Sequence, residues 1–152
     1  MTSGEGIFAD ANILVYAAIR DDVRHAACRN LLKNPGDTLL HFSPQILTEF
    51  YSVITNPKRV TAPFTPTEAI EFIEILLSYR HSAPLPITAE VPAILLSLLK
   101  QRVVRGPRVF DLQIAATMLA HGVSRLATYN GADFKDIAGI EIVEPERVPE
   151  AM

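Results

Sequence analysis

The chain has 152 residues, of which 49% are hydrophobic, and a formal net charge of −3 at pH 7. This composition excludes a disordered chain and disfavours nucleic-acid binding by positive charge alone, and the length suits a single domain over residues 1–152. No apolar run reaches the roughly 18 residues of a membrane span, the N-terminus lacks the basic and apolar regions of a signal peptide, and Cys28 is the only cysteine, which excludes an intrachain disulfide. We therefore expect a cytoplasmic protein with no membrane partner, in which Cys28 is a packing residue.

Short apolar segments alternate with longer amphipathic ones along the chain. Strands are predicted at residues 7–9, 38–42, 125–128 and 140–143, with a further short edge strand within 84–87, where two prolines would limit pairing. Helices are predicted at residues 11–19, 23–32, 43–55, 65–79, 88–100 and 111–121. This order predicts an α/β fold of three layers, in which a mostly parallel central sheet is flanked by helices.

Several helix ends carry local signals. Ser43 before a proline and Thr88 are expected to cap the helices that follow them. The sequence from Thr65 to Glu68 has the pattern of a capping box. Gly122 follows the last predicted helix and is expected to end it.

Four carboxylates lie at the edges of these elements. Asp10 follows the first predicted strand, Asp133 follows the strand at 125–128, Glu49 lies one to two turns into the helix after the second strand, and Asp111 begins a helix. Because sites in parallel sheets form beyond the carboxyl ends of the strands, we expect the four side chains to converge there. Carboxylates in a helix start or a turn also occur for structural reasons alone, so the residues leave that alternative open.

A cluster of four acids repels itself unless a divalent cation neutralises it. Oxygen ligands suit Mg²⁺ or Mn²⁺, which keep waters in their coordination shell and can polarise a phosphoryl group and activate an attacking water. The chain has no GxxxxGK[ST] phosphate loop, no HExxH and no Cys/His zinc spacing. These observations favour metal-dependent attack of water on a phosphate ester, without a covalent intermediate.

Other polar residues near the acids have two readings each. Asn12 can cap the first helix or hydrogen-bond a site carboxylate, and Thr128 and Asn130 can form a turn or orient Asp133. The four histidines share no motif and are expected at the surface or at helix ends rather than as ligands. A basic stretch is either a solvated loop or a phosphate-contacting patch, and its members are Lys100, Arg102, Arg105 and Arg108.

The same residues form four motifs that resemble those of PIN-domain ribonucleases, and most of all the VapC toxins of toxin–antitoxin pairs. The resemblance runs from Ile7 to about Pro145. The first motif runs from Asp10 to Ala17, the second from Ser43 to Phe50 with Glu49 as its acid, and the third from Phe110 to Ala116 with Asp111 as its acid. The fourth is Thr-x-Asn-x-x-Asp-Phe at 128–134.

This resemblance implies a PIN-like fold and endonucleolytic cleavage of RNA that depends on Mg²⁺ or Mn²⁺. It also implies a cognate antitoxin protein as inhibitor and a homodimer. The implied catalytic and metal-binding residues are Asp10, Glu49, Asp111 and Asp133, supported by Asn12, Thr128 and Asn130. One departure is Phe110, where many relatives carry a polar residue, often His.

Two other functions remain compatible with the sequence. A non-catalytic PIN-like module could bind RNA or a partner protein, although the intact set of acids opposes this. A phosphatase on a doubly wound sheet would need an aspartate nucleophile and a positioned lysine, and no such lysine can be assigned.

Overall fold

The computed structural model describes residues 6–149. Within that range a parallel sheet of four strands lies at the centre, in the order β2-β1-β3-β4. The strands are short, and their bounds are β1 Ile7–Ala9, β2 Leu40–His41, β3 Arg125–Ala127 and β4 Glu141–Val143.

Six α-helices flank the sheet in this part of the chain. Helix α1 packs against α2 and α3, α4 packs against α3, and α5 packs against α6. Their bounds are α1 Ala11–Ala18, α2 His25–Lys33, α3 Pro44–Ile54, α4 Pro66–Ser78, α5 Glu90–Lys100 and α6 Val109–Ala120. Single-turn 3₁₀ helices occur at Gly106–Arg108, Gly131–Phe134 and Pro145–Arg147.

Strand β1 is the structural centre of the sheet. Its Phe8 is fully buried and pairs with His41 of β2 on one side and with Leu126 of β3 on the other. The chain leaves β1 for β2 on one side and returns later to β3 on the other. The strand order therefore reverses between β1 and β3, which is where open parallel sheets form their sites.

The predicted α/β fold is confirmed, and the bounds of the four strands and six helices differ from those expected by no more than two residues. The capping box is confirmed, because the Thr65 hydroxyl accepts from Glu68 N at 3.2 Å and the Glu68 carboxylate accepts from Thr65 N at 2.9 Å. Gly122 ends α6 with a φ of +69°, a conformation that glycine adopts readily. Residues 1–5, on which the signal-peptide expectation rests, lie outside the described range. No helix within residues 6–149 is long and apolar enough to cross a bilayer.

Three local predictions were wrong. No strand forms at 84–87, because Pro84 and Pro86 have no N–H to complete a ladder. An isolated bridge joins Leu40 of β2 to Ser82, and the N–H of Leu85 donates to the Phe42 carbonyl at 2.7 Å. Ser43 occupies the N-cap position of α3, but its hydroxyl makes no capping bond. The N-cap of α5 is Ala89 rather than Thr88, and neither the Ser43 nor the Thr88 hydroxyl has a hydrogen-bond partner within residues 6–149.

Gly6 at the entry to β1 provides a test of this packing. A Cβ at this position would lie 2.1 Å from Nε2 of the buried His41, so we expect Gly6→Ala to reduce the free energy of unfolding by about 1–3 kcal/mol. Urea unfolding measures this cost. In a His41→Ala background the clash is absent and the same change should cost less, whereas an equal cost in both backgrounds would contradict the packing described.

Candidate functional site

Asp10 lies directly after β1 and is the N-cap residue of α1. Its Oδ1 accepts from the backbone N–H of Ala11 at 2.7 Å, and its Oδ2 accepts from the Thr128 hydroxyl at 2.8 Å. Its own N–H donates to the carbonyl of Ala127 in β3 at 3.0 Å. The carboxylate is therefore held between the ends of two neighbouring strands, and only 6% of the residue is exposed.

The Thr128 hydroxyl is the centre of a small network at the end of β3. It donates to Asp10 and accepts from the side-chain amide of Asn12 at 3.2 Å and from the backbone N–H of Asn130 at 3.0 Å. The side-chain Oδ1 of Asn12 accepts from the backbone N–H of Tyr129 at 3.4 Å. Asn12 thus neither caps α1 nor bonds a carboxylate. Thr128 orients Asp10, whereas the sequence suggested that it would orient Asp133.

Glu49 lies on α3, beside the buried face that includes Ile46 and Phe50, and is half-buried. Its Oε1 accepts from the side-chain amide of Gln45 at 2.9 Å. The same amide donates to the backbone carbonyl of Phe110 at 3.1 Å, which joins α3 to the first turn of α6. Gln45 was not among the site residues expected from the sequence, although its spacing of four residues from Glu49 on a polar helix face was a usable signal.

Asp111 lies in the first turn of α6 and is partly buried. The neighbouring Phe110, the departure from the family pattern, is 53% exposed and contributes its carbonyl to the Gln45 bond.

Asp133 lies in the 3₁₀ helix after β3 and is exposed. Its N–H donates to the Asn130 carbonyl at 3.0 Å, and its carbonyl accepts from Arg108 at 3.0 Å. The guanidinium of Arg108 also pairs with Asp136 at 3.2 Å, so the turn that carries Asp133 is attached to the start of α6.

The pKa values of three of the four carboxylates are raised, in part by the charges of the other acids. Burial raises the pKa of Asp10, and the charge of Asp133 adds to this, while the hydrogen bond from Thr128 opposes it. Burial also raises the pKa of Glu49, with a contribution from Asp10. For Asp111, burial and the charges of Asp133, Asp10 and Glu49 raise the pKa to about 6. The structure therefore brings the four acids into one electrostatic group.

Asp10, Glu49 and Asp111 line an open cleft of about 1280 Å³, whereas Asp133 does not. The exposed Arg20 and Arg59 also line this cleft. The predicted site residues that line the cleft are Asp10, Asn12, Glu49, Asp111 and Asn130, and three further acids also line it, namely Asp21, Asp22 and Glu68.

The carboxylate oxygens of these acids are the type of ligand that a hard divalent cation prefers, but they do not form a complete coordination site. Within residues 6–149, no three His, Cys, Asp or Glu side chains are grouped as ligands of one ion. Mg²⁺ needs only one or two carboxylates, because it keeps several waters and takes further oxygens from a phosphate substrate. Mutually repelling carboxylates with raised pKa values next to an open cleft match that requirement.

The basic stretch before Asp111 is divided between two roles. Arg102 and Arg108 both pair with Asp136, at 3.6 and 3.2 Å, so their charges are directed to the segment after β3. Lys100 and Arg105 are exposed, and phosphate contact by them stays a prediction.

The histidines are explained by backbone hydrogen bonds. The ring of each one lies 2.7–3.2 Å from a main-chain carbonyl oxygen, and the four are His25, His41, His81 and His121. His41 is buried rather than at the surface, contrary to the expectation.

Comparisons with known proteins agree with this architecture. The sequence profile of the PIN domain matches residues 7–140. The chain is 31% identical over 137 residues to Ribonuclease VapC24 of Mycobacterium tuberculosis, which covers 90% of this chain and 94% of that protein.

Solved structures share the fold. VapC20 of Mycobacterium tuberculosis, described as a toxin that cleaves the sarcin-ricin loop, matches with a TM-score of 0.68 and 20% identity over 92% of this chain and all of that one. VapBC2 from Rickettsia felis, bound to a DNA fragment from its promoter, matches with a TM-score of 0.61 and 23% identity, over 91% of this chain and 97% of that one. The resemblance expected from the four motifs is confirmed, and the chain belongs to the PIN-domain family, as the VapC proteins do.

Proposed function

We propose that this protein is a metal-dependent endoribonuclease and the toxin of a toxin–antitoxin pair. The observation that carries the proposal is the electrostatically coupled group of Asp10, Glu49, Asp111 and Asp133, of which the first three line a cleft in a PIN-domain chain. The chain's similarity to Ribonuclease VapC24 supports RNA as the substrate class.

In this proposal the four carboxylates hold Mg²⁺ or Mn²⁺. When bound, the cation polarises the phosphodiester and activates a water as the nucleophile. Thr128 keeps the carboxylate of Asp10 in place through its 2.8 Å hydrogen bond, with Asn12 supporting Thr128 in turn. The backbone N–H of Asn130 also supports this hydroxyl.

Covalent catalysis by a thiol has no support in this fold. Cys28 is buried, as expected for a packing residue, and burial raises the pKa of its thiol to about 11. A thiol that stays protonated at neutral pH is a poor nucleophile.

The proposed partners are a cognate antitoxin protein, RNA and a second copy of the chain in the cytoplasm. Toxin–antitoxin complexes from Rickettsia felis and Klebsiella pneumoniae share the fold, which supports the antitoxin. Exposed apolar side chains on α4 and α5 offer area for a homodimer, and they are Ile70, Ile75, Leu77 and Leu96.

Replacing Asp10 tests the catalytic role. Asp10→Asn keeps the size of the side chain and removes its charge, so we expect RNA cleavage to fall by about 100-fold or more while the fold persists. Gel assays of RNA cleavage and far-UV circular dichroism measure the two. Asp37→Asn removes the same charge from an exposed loop and should cleave as the wild type does. Full activity of Asp10→Asn would refute the proposal.

Removal of metal separates an enzyme from a binding module. Chelation should abolish cleavage by the wild type, and Mn²⁺ or Mg²⁺ should restore it, because the carboxylates alone supply no electrophile. Asp10→Asn should show no restoration. A module that only binds RNA or protein would show no cleavage that depends on added metal.

The pH dependence of stability tests the repulsion within the group. The folded-state pKa of Asp111, about 6, lies above its ordinary value of 3.8, so its charge destabilises the metal-free fold fully above pH 6. This cost is relieved as pH falls through 6 towards 4.

We therefore expect metal-free Asp111→Asn to be more stable than the wild type at pH 7.5, with a smaller difference at pH 5. Urea unfolding at both pH values measures this, and the lowered pKa of the buried His41 affects both proteins equally. A difference that does not change with pH would contradict the assigned repulsion.

A further inference from the structure

The side chain of Gln45 makes two hydrogen bonds with a single amide nitrogen. Its Nε2 donates to Glu49 Oε1 at 2.9 Å and to the Phe110 carbonyl at 3.1 Å. A side-chain amide nitrogen carries two hydrogens, so both bonds form together. One of the acceptors is a site carboxylate, and the other is the peptide that precedes the site residue Asp111.

The orientation of this amide is determined by its surroundings. The opposite orientation would place Oε1 against two acceptors, a carboxylate and a carbonyl, where no hydrogen bond could form. In the orientation observed, Oε1 is buried and has no hydrogen-bond partner among residues 6–149. A buried acceptor without a hydrogen-bond partner destabilises the fold. We infer that the two hydrogen bonds donated by Nε2 offset this cost.

The two bonds connect separate elements. Glu49 is on α3 and Phe110 is on α6, and the two are 61 residues apart in sequence. Glutamate has several rotatable bonds and, being half-buried at the cleft, would otherwise sample several rotamers. The Gln45 amide holds the Glu49 carboxylate at a fixed place relative to the start of α6.

We propose that Gln45 is a positioning residue that sets the Glu49 carboxylate against Asp111, so that the acidic group binds a divalent cation with the affinity that the reaction needs. This inference rests on the proposed function, since it requires that the acids bind metal.

Gln45→Met tests the inference, because methionine has a similar length and no N–H. Groups that hydrogen-bond a ligating carboxylate typically contribute about 10-fold or more in metal affinity, so we expect a Mn²⁺ dissociation constant about 10-fold higher than in the wild type. Titration calorimetry measures it. Thr48→Ala on the same helix is the matched control, since the exposed Thr48 hydroxyl donates only to the Pro44 carbonyl, and its Mn²⁺ affinity should be unchanged.

A double variant shows whether Gln45 acts through Glu49. In a Glu49→Gln background, Gln45→Met should have little further effect on Mn²⁺ affinity, because the group it positions is already gone. An equal effect in both backgrounds would overturn the inference. If the methionine variant does not fold, Gln45→Ala, which favours helix, replaces it with the same expected outcomes.

The outcomes separate the two proposals. If the wild type and Gln45→Met bind Mn²⁺ equally well, the positioning role alone is overturned. The same holds if Gln45→Met has a lower melting temperature but an unchanged affinity for Mn²⁺. Wild type that binds no Mn²⁺ and cleaves no RNA would overturn the proposed function and this inference with it.

Discussion

The hydrogen bond between Thr128 and Asp10 is the contact on which the site depends. It joins the residue after β3 to the residue after β1, across the point where the strand order reverses. Burial raises the pKa of Asp10. The hydrogen bonds from the Thr128 hydroxyl and from the backbone N–H of Ala11 lower this pKa, but less than burial raises it. The fold therefore maintains a carboxylate whose ionisation it disfavours, and a cation beside it would remove that penalty.

Neighbouring elements hold the other acids in different ways. Glu49 is held by a side-chain amide and Asp111 by its place in the first turn of α6, while the hydrogen bonds of Asp133 to other parts of residues 6–149 are made by its backbone. The restraint becomes weaker from the buried Asp10 to the exposed Asp133. Such a gradient suits a site in which one ligand is fixed and the others adjust, since Mg²⁺ keeps waters and accepts oxygens from a substrate.

Much of the fold could be predicted from the sequence because its signals are local. The period of apolar residues identifies the helices, and Thr65 with Glu68 marks a helix start within four residues of chain. Side-chain partners could not be predicted, because they come from distant elements. The side-chain amide of Asn12 donates to Thr128, 116 residues away, which is neither of the two roles expected for it, a cap of α1 or a hydrogen bond to a site carboxylate. Ser43 and Thr88 have the right residue type for a cap, but each hydroxyl is buried away from the helix N–H groups it was expected to meet.

The four acids could be predicted as a group, although their unequal exposure could not. Asp133 does not line the cleft, yet its charge raises the pKa of both Asp10 and Asp111. Arg108 counters this at the same place, since it bonds the Asp133 carbonyl, pairs with Asp136 and lowers the pKa of Asp111. Arg108, a member of the basic stretch, thus partly compensates the negative charge of the acids. A chain with a net charge of −3 can then keep a concentrated negative site beside an open cleft, provided that a cation completes the balance.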